Sequence, residues 1–141
     1  MEEEKLNEEL VKLEYLRREI EEDINTLNLL QYTQDSVSKS LLGLDRLSIS
    51  DENEVLIPYG SEIFFRGKIT DTKSAIVGLG NNIFKRMNVD ELRKKLSQDF
   101  DELNKNIEKL ARTINDLQEE GERLEKEVNE MYEEFTKNMK Q

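Results

Sequence analysis

From Phe100 to Phe135 the apolar residues recur at alternating steps of three and four. The positions are Phe100, Leu103, Ile107, Leu110, Ile114, Leu117, Leu124, Val128, Met131 and Phe135, with Gly121 the one interruption. This is the a/d seam of a heptad repeat. So narrow a stripe cannot serve as the core of an ordinary domain; it must lie against another helix. The first 47 residues supply one. Leu6, Leu10, Leu13, Arg17, Ile20, Ile24 and Leu27 follow the same steps, six of the seven being apolar. A short step then leads to Leu30, Gln34, Val37, Leu41 and Leu44. The extra three-residue step reads as a stammer, which overwinds a coil locally. The first helix is expected to end near Leu47. The last one has Asn88 as a cap that accepts from the Glu91 backbone, with Glu91 reaching back.

Between these helices the period changes. Four of the six glycines and the only proline fall between residues 54 and 86. Ile63, Phe65, Gly67 and Ile69 alternate against Glu62, Arg66 and Lys68, with Phe64 the exception. Ala75, Val77 and Leu79 alternate as well. Strands are expected near 55–58, 62–69, 74–79 and 83–87, in two hairpins, with turn chemistry at Asp71-Thr72-Lys73 and Gly80-Asn81-Asn82. The fold class is therefore α+β: a long antiparallel two-helix coiled coil with a central pair of β-hairpins forming an oligomerisation base. Its parts are an N-terminal helix over 1–47, the hairpins over 48–87 and a C-terminal helix over 88–141.

In the antiparallel arrangement Leu44 and Leu96 meet at the base and the termini lie together at a far tip. Arg17 faces the neighbourhood of Gly121, where its head either reaches Glu122 or Glu125 or snorkels to water. At the tip, Leu6, Leu10, Met131, Tyr132, Phe135 and Met139 gather where a two-helix coil covers its seam least. Methionine and aromatics there form an adaptable apolar surface suited to loosely defined partners. At the base, four short strands cannot hide Tyr59, Ile63, Phe65, Ile69, Ile76, Val77, Leu79, Ile83 and Phe84 by themselves. Those residues are expected to mediate oligomerisation.

Composition closes off other functions. Charged residues make up 38% and apolar ones 35%, the net charge is −11, and there is no cysteine, histidine or tryptophan. No disulfide, imidazole base, thiol nucleophile or His/Cys zinc site is available. The carboxylates lie on helix faces, not in a cleft that would split their pKa values. Gly78-Leu79-Gly80 lacks the third glycine and the following helix of a dinucleotide loop, and there is no Walker loop. No enzyme activity and no cofactor are expected. Residues 54–86 carry +2 and the rest −13, which disfavours nucleic acid. No apolar run suits a membrane, and the acidic start is unlike a signal peptide, so a cytoplasmic protein is expected.

The run Val55-Leu56-Ile57-Pro58-Tyr59-Gly60, then Phe64-Phe65-Arg66-Gly67-Lys68-Ile69, then Ala75-Ile76-Val77-Gly78-Leu79-Gly80, resembles the double hairpin of archaeal α-class prefoldin subunits. Leu41-Leu42-Gly43-Leu44 resembles the family's helix end and Asn88-Val89-Asp90-Glu91 its helix restart. The resemblance implies an ATP-independent chaperone, a holdase that takes unfolded or non-native proteins at the coiled-coil tips. It implies assembly with other prefoldin subunits, itself or β-class, and a group II chaperonin as recipient. Tyr59 and Ile83-Phe84-Lys85-Arg86 depart from the family pattern where assembly is decided. They are similar to what a self-assembling gamma-prefoldin paralogue would show, so the alternative expectation is a filament or scaffold whose β base polymerises.

Overall fold

The computed structural model describes residues 1–49 and 53–140. The element order is α1 (Glu2–Ile49), β1 (Glu54–Gly60), β2 (Ile63–Lys68), β3 (Ser74–Gly80), β4 (Ile83–Asn88) and α2 (Val89–Met139). Both helices carry acidic first turns, Glu2-Glu3-Glu4 and Asp90-Glu91, and a basic residue in the last turn. Both biases complement the helix macrodipole. The α2 cap is a simpler one than the expected box. The Asn88 side-chain oxygen accepts from the Asp90 N–H at 2.8 Å, one residue earlier than Glu91. The chain divides into two units, residues 1–32 with 104–141, and residues 33–103.

In the first unit the helices run antiparallel. Glu2 meets Asn138, whose amide donates to both carboxylate oxygens at 3.3 and 3.1 Å, and Leu16 lies beside Gly121. The α2 seam runs as the sequence predicts, with Ile114 and Val128 buried. The α1 seam is a different one. Leu6, Leu13 and Leu16 are buried, and Glu9, Ile20, Asp23, Leu27 and Leu30 are partly covered. The steps from Leu6 are therefore three then four throughout, and they reach Gln34, Val37, Leu41 and Leu44 without a stammer. Leu10 and Ile24 sit beside the stripe and are exposed. The expected phase fails because Glu9 and Asp23 occupy seam positions at which apolar counting prefers Leu10 and Ile24. Leu16, not Arg17, fills the space at Gly121: a Cβ built there would lie 3.5 Å from Leu16 Cδ2 and 3.9 Å from Ile20 Cδ1. Arg17 points outward and reaches Glu125 at 3.7 Å.

The second unit holds both hairpins between helix ends. Each hairpin is a separate two-stranded antiparallel sheet, β1 with β2 and β3 with β4. Their registers repeat with a shift of 20 residues: Glu54↔Lys68 against Ser74↔Asn88, Ile57↔Phe65 against Val77↔Lys85, and Gly60↔Ile63 against Gly80↔Ile83. The closing bonds repeat too. Ile69 N–H donates to the Asn53 carbonyl and Val89 N–H to the Lys73 carbonyl, both at 2.8 Å. Each hairpin has one irregularity, between Pro58 and Gly60 and between Gly78 and Gly80. Each turns through two residues of positive φ, Ser61 (48°) and Glu62 (62°), or Asn81 (52°) and Asn82 (59°). Glu62, expected to open a strand, thus belongs to a primed turn, whose twist matches that of the strands. The Asp71 segment links the hairpins. Its carboxylate accepts from Lys73 N–H at 2.9 Å and Ser74 Oγ–H at 2.6 Å, and pairs with Arg86 at 3.3 Å.

Candidate functional sites at the helix ends and the hairpins

The expected tip residues do come together, in two different roles. The Glu2–Asn138 bonds and the Leu16–Gly121 contact align the helices so that Leu6 falls within about a turn of Met131 and Phe135. Leu6 is buried, while Met131 and Phe135 are partly covered, so these three form the last layers of seam. Leu10, Tyr132 and Met139 face solvent, the last two 61% and 73% exposed. Val11 and Tyr15, which periodicity did not single out, add exposed apolar surface on α1. Acidic side chains surround the cluster. A groove of 580 Å³ beside Met131 is lined by Glu127, Glu130, Glu133, Glu134 and Lys137. An apolar, adaptable patch inside an acidic rim can hold hydrophobic segments without fixed geometry and favours basic ones.

The second site is the pair of hairpins. Tyr59, Ile63, Phe65, Ile76, Leu79, Ile83 and Phe84 are each more than half exposed. Ile69 and Val77 are partly covered and line a groove of 1040 Å³ with Leu44, Leu47, Leu92 and Leu96 of the helix ends. Leu56, Ile57 and Phe64 belong on the exposed list as well; their signal was the apolar run before Pro58 and the Phe64 that broke the alternation. Tyr59 stacks edge-on against Phe65, with centroids 5.1 Å apart and rings 86° apart. The equivalent positions of the other hairpin are Leu79 and Lys85. Arg93 anchors α2 to α1 by pairing with Asp45 at 3.3 Å and donating to the Leu44 carbonyl at 3.5 Å. Asp71 has its carboxyl lowered to about 2, first by the Ser74 hydroxyl and next by the Lys73 N–H, with Arg86 contributing. Among the described residues no cluster of His, Cys, Asp or Glu could hold a metal, and no helix is long and apolar enough to cross a membrane.

The fold is that of two long helices with a double β-hairpin between them. The profile of the prefoldin subunit family matches residues 2–134, and the chain belongs to the prefoldin family, a family of chaperone subunits. It is 29% identical over 104 residues to prefoldin subunit alpha of Methanococcus aeolicus, covering 74% of this chain and 54% of that one. It is 30% identical over 86 residues to the Methanopyrus kandleri subunit alpha, covering 61% and 49%. Against the Pyrococcus horikoshii subunit alpha it is 27% identical over 110 residues, covering 73% and 74%. The chain thus spans about half the length of the first two relatives. Among solved structures, the filamentous PFD of Methanocaldococcus jannaschii has the same fold, with a TM-score of 0.65 at 24% identity over 86% of this chain and 98% of that one.

Proposed function

We propose that the chain is an ATP-independent holdase of the cytoplasm, which binds unfolded or non-native proteins at its helix ends and assembles through its hairpins. The observation that carries this reading is the exposed Leu10, Tyr132 and Met139 beside the half-covered Met131 and Phe135, at helix ends held together by Glu2 and Asn138. Exposed residues can be given to a client without loss of the seam that holds the helices. Prefoldin subunits, itself or β-class, are the assembly partners, and a group II chaperonin is the recipient of clients. The test is the triple variant Leu10→Ser, Tyr132→Ser, Met139→Ser. It should keep wild-type helicity and assembly size but lose suppression of aggregation of several unrelated denatured proteins. Full suppression by that variant would sink the reading.

A filament or scaffold is the second reading. It is favoured by the large apolar side chains that the hairpins leave in solvent, and it is the form named for the Methanocaldococcus jannaschii protein. Electron microscopy of the protein alone separates it from a small closed oligomer.

A further inference from the structure

The antiparallel coil of the first unit has two unlike sides. Counted in heptads from the seam, Leu10, Tyr132 and Met139 flank it on one side, where Arg17 meets Glu125. Val11 and Tyr15 lie toward the other side, 66% and 72% exposed. There they border a groove of 630 Å³ that Leu16, Leu117 and Leu124 also line. Glu127 belongs both to this groove and to the one beside Met131, so the two run on along α2. From Leu117 to Lys137 that path is about 30 Å long at 1.5 Å per residue. Its apolar row and its acidic row both repeat every seven residues. The first is Leu117, Leu124 and Met131, and the second is Glu120, Glu127 and Glu134. Among the described residues none of these three glutamates is ion-paired. The cations along the path are Lys12, already held by Glu9 at 3.2 Å, Arg123 and Lys137, and the acids outnumber them.

We propose that this groove takes a basic amphipathic helix of a partner protein, laid along the coil as a third helix. Period decides the form of the occupant. Seven residues of helix advance about 10.5 Å. A third helix therefore keeps its apolar stripe on the leucine row and its cations on the glutamate row, heptad after heptad. An extended segment repeats a face about every 6.8 Å and falls out of phase with both rows. Charge decides its source. Residues 2–23 carry −6 and residues 113–141 carry −5, so the whole net charge of −11 lies in the helix halves that bear the groove. The same part of a second copy is repelled, whereas a helix flanked by lysine or arginine is attracted. The groove lies across the seam from Leu10, Tyr132 and Met139, so this contact is separate from the holdase reading and does not depend on it.

The probe is a fluorescein-labelled peptide of three heptads, with leucine at the two seam positions and lysine on both flanks. Its binding to the full chain is read by fluorescence anisotropy. The lysine peptide should bind, and the same peptide with glutamate for lysine should not. A version with one proline per heptad cannot form the helix and should bind at least about tenfold more weakly. The triple variant Glu120→Gln, Glu127→Gln, Glu134→Gln should weaken the lysine peptide about tenfold, as for three exposed ion pairs, and flatten its salt dependence. The triple variant Glu21→Gln, Glu119→Gln, Glu122→Gln removes the same charge away from the groove and should bind like the wild type. Val11→Ser with Tyr15→Ser should weaken binding, whereas Leu10→Ser, Tyr132→Ser, Met139→Ser should leave it intact. No binding of the lysine peptide at low salt overturns the proposal. So does equal loss in the two glutamate triples, which shows diffuse attraction only, or equal binding of the proline peptide, which shows an extended occupant. Loss confined to the Leu10, Tyr132, Met139 variant puts the peptide on the other side of the seam and also refutes the groove. A change of assembly size in the groove triple, read by sedimentation, puts a second copy there and does the same. Each of these failures leaves the holdase reading standing, since that reading is tested by aggregation suppression.

Discussion

Replacing Gly121 by alanine should stabilise the protein. Glycine inside a helix costs about 1 kcal/mol relative to alanine, through backbone entropy. Most seam glycines would resist a side chain, but a Cβ at Gly121 would meet Leu16 Cδ2 at 3.5 Å and Ile20 Cδ1 at 3.9 Å, which is ordinary contact. The methyl therefore adds packing without strain, for a fraction of the roughly 0.8 kcal/mol of a fully buried methylene. The expected gain is about 1–1.5 kcal/mol. It is read as a shift in the urea midpoint by circular dichroism at 222 nm, at fixed protein concentration because assembly contributes to stability. Two companions test the seam phase. Leu16→Ala should cost about 2–5 kcal/mol, as for other buried leucines. Arg17→Ala, which breaks an exposed pair at 3.7 Å, should cost no more than about 1 kcal/mol. Destabilisation by Gly121→Ala, or a larger loss from Arg17→Ala than from Leu16→Ala, would refute the assignment of Leu16 to this layer.

Other consequences can be checked on the same protein. Ser61 and Glu62 adopt positive φ without the tolerance of asparagine or glycine, so Ser61→Asn with Glu62→Gly should raise stability by about 1 kcal/mol in thermal melts; a lower melting temperature would contradict the turn assignment. The Asp71 carboxyl is lowered to about 2, so its contribution is present above the ordinary aspartate pKa and is lost as pH falls toward 2. NMR titration of Asp71 should show that midpoint, and Ser74→Ala should move it up; an unshifted midpoint would show that the Ser74 bond does not form. Phe135→Ser should lower helix stability, whereas Tyr132→Ser should leave it within about 0.5 kcal/mol, and equal losses in urea unfolding would erase the distinction between seam and exposed patch.

The legibility of these features follows from which side chains occupy them. Helix α2 was readable because every seam position except Gly121 is apolar and its remaining faces are charged. Helix α1 was readable as a helix but not in phase. Leu10 and Ile24 imitate seam residues, Glu9 and Asp23 disguise two real ones, and the conflict surfaced as a stammer that the helix does not have. The strands were placed to within two residues by alternation and glycine. The 20-residue repeat stayed hidden because few equivalent positions are identical, Gly60/Gly80, Ile63/Ile83, Phe64/Phe84 and Arg66/Arg86 among them.

The matching closing bonds make the hairpin an excisable cassette. Deleting residues 54–73 would join Asn53 directly to Ser74, and the Asn53 carbonyl would stand where Lys73 offers its own to Val89 N–H. One intact hairpin would remain, entered and left through the same backbone geometry, between unaltered helices. Subunits with one hairpin and subunits with two are therefore separated by a single in-frame deletion or duplication, with no new loop to invent. Through that step a lineage could change how many hairpins each subunit carries while leaving its helix ends as they are.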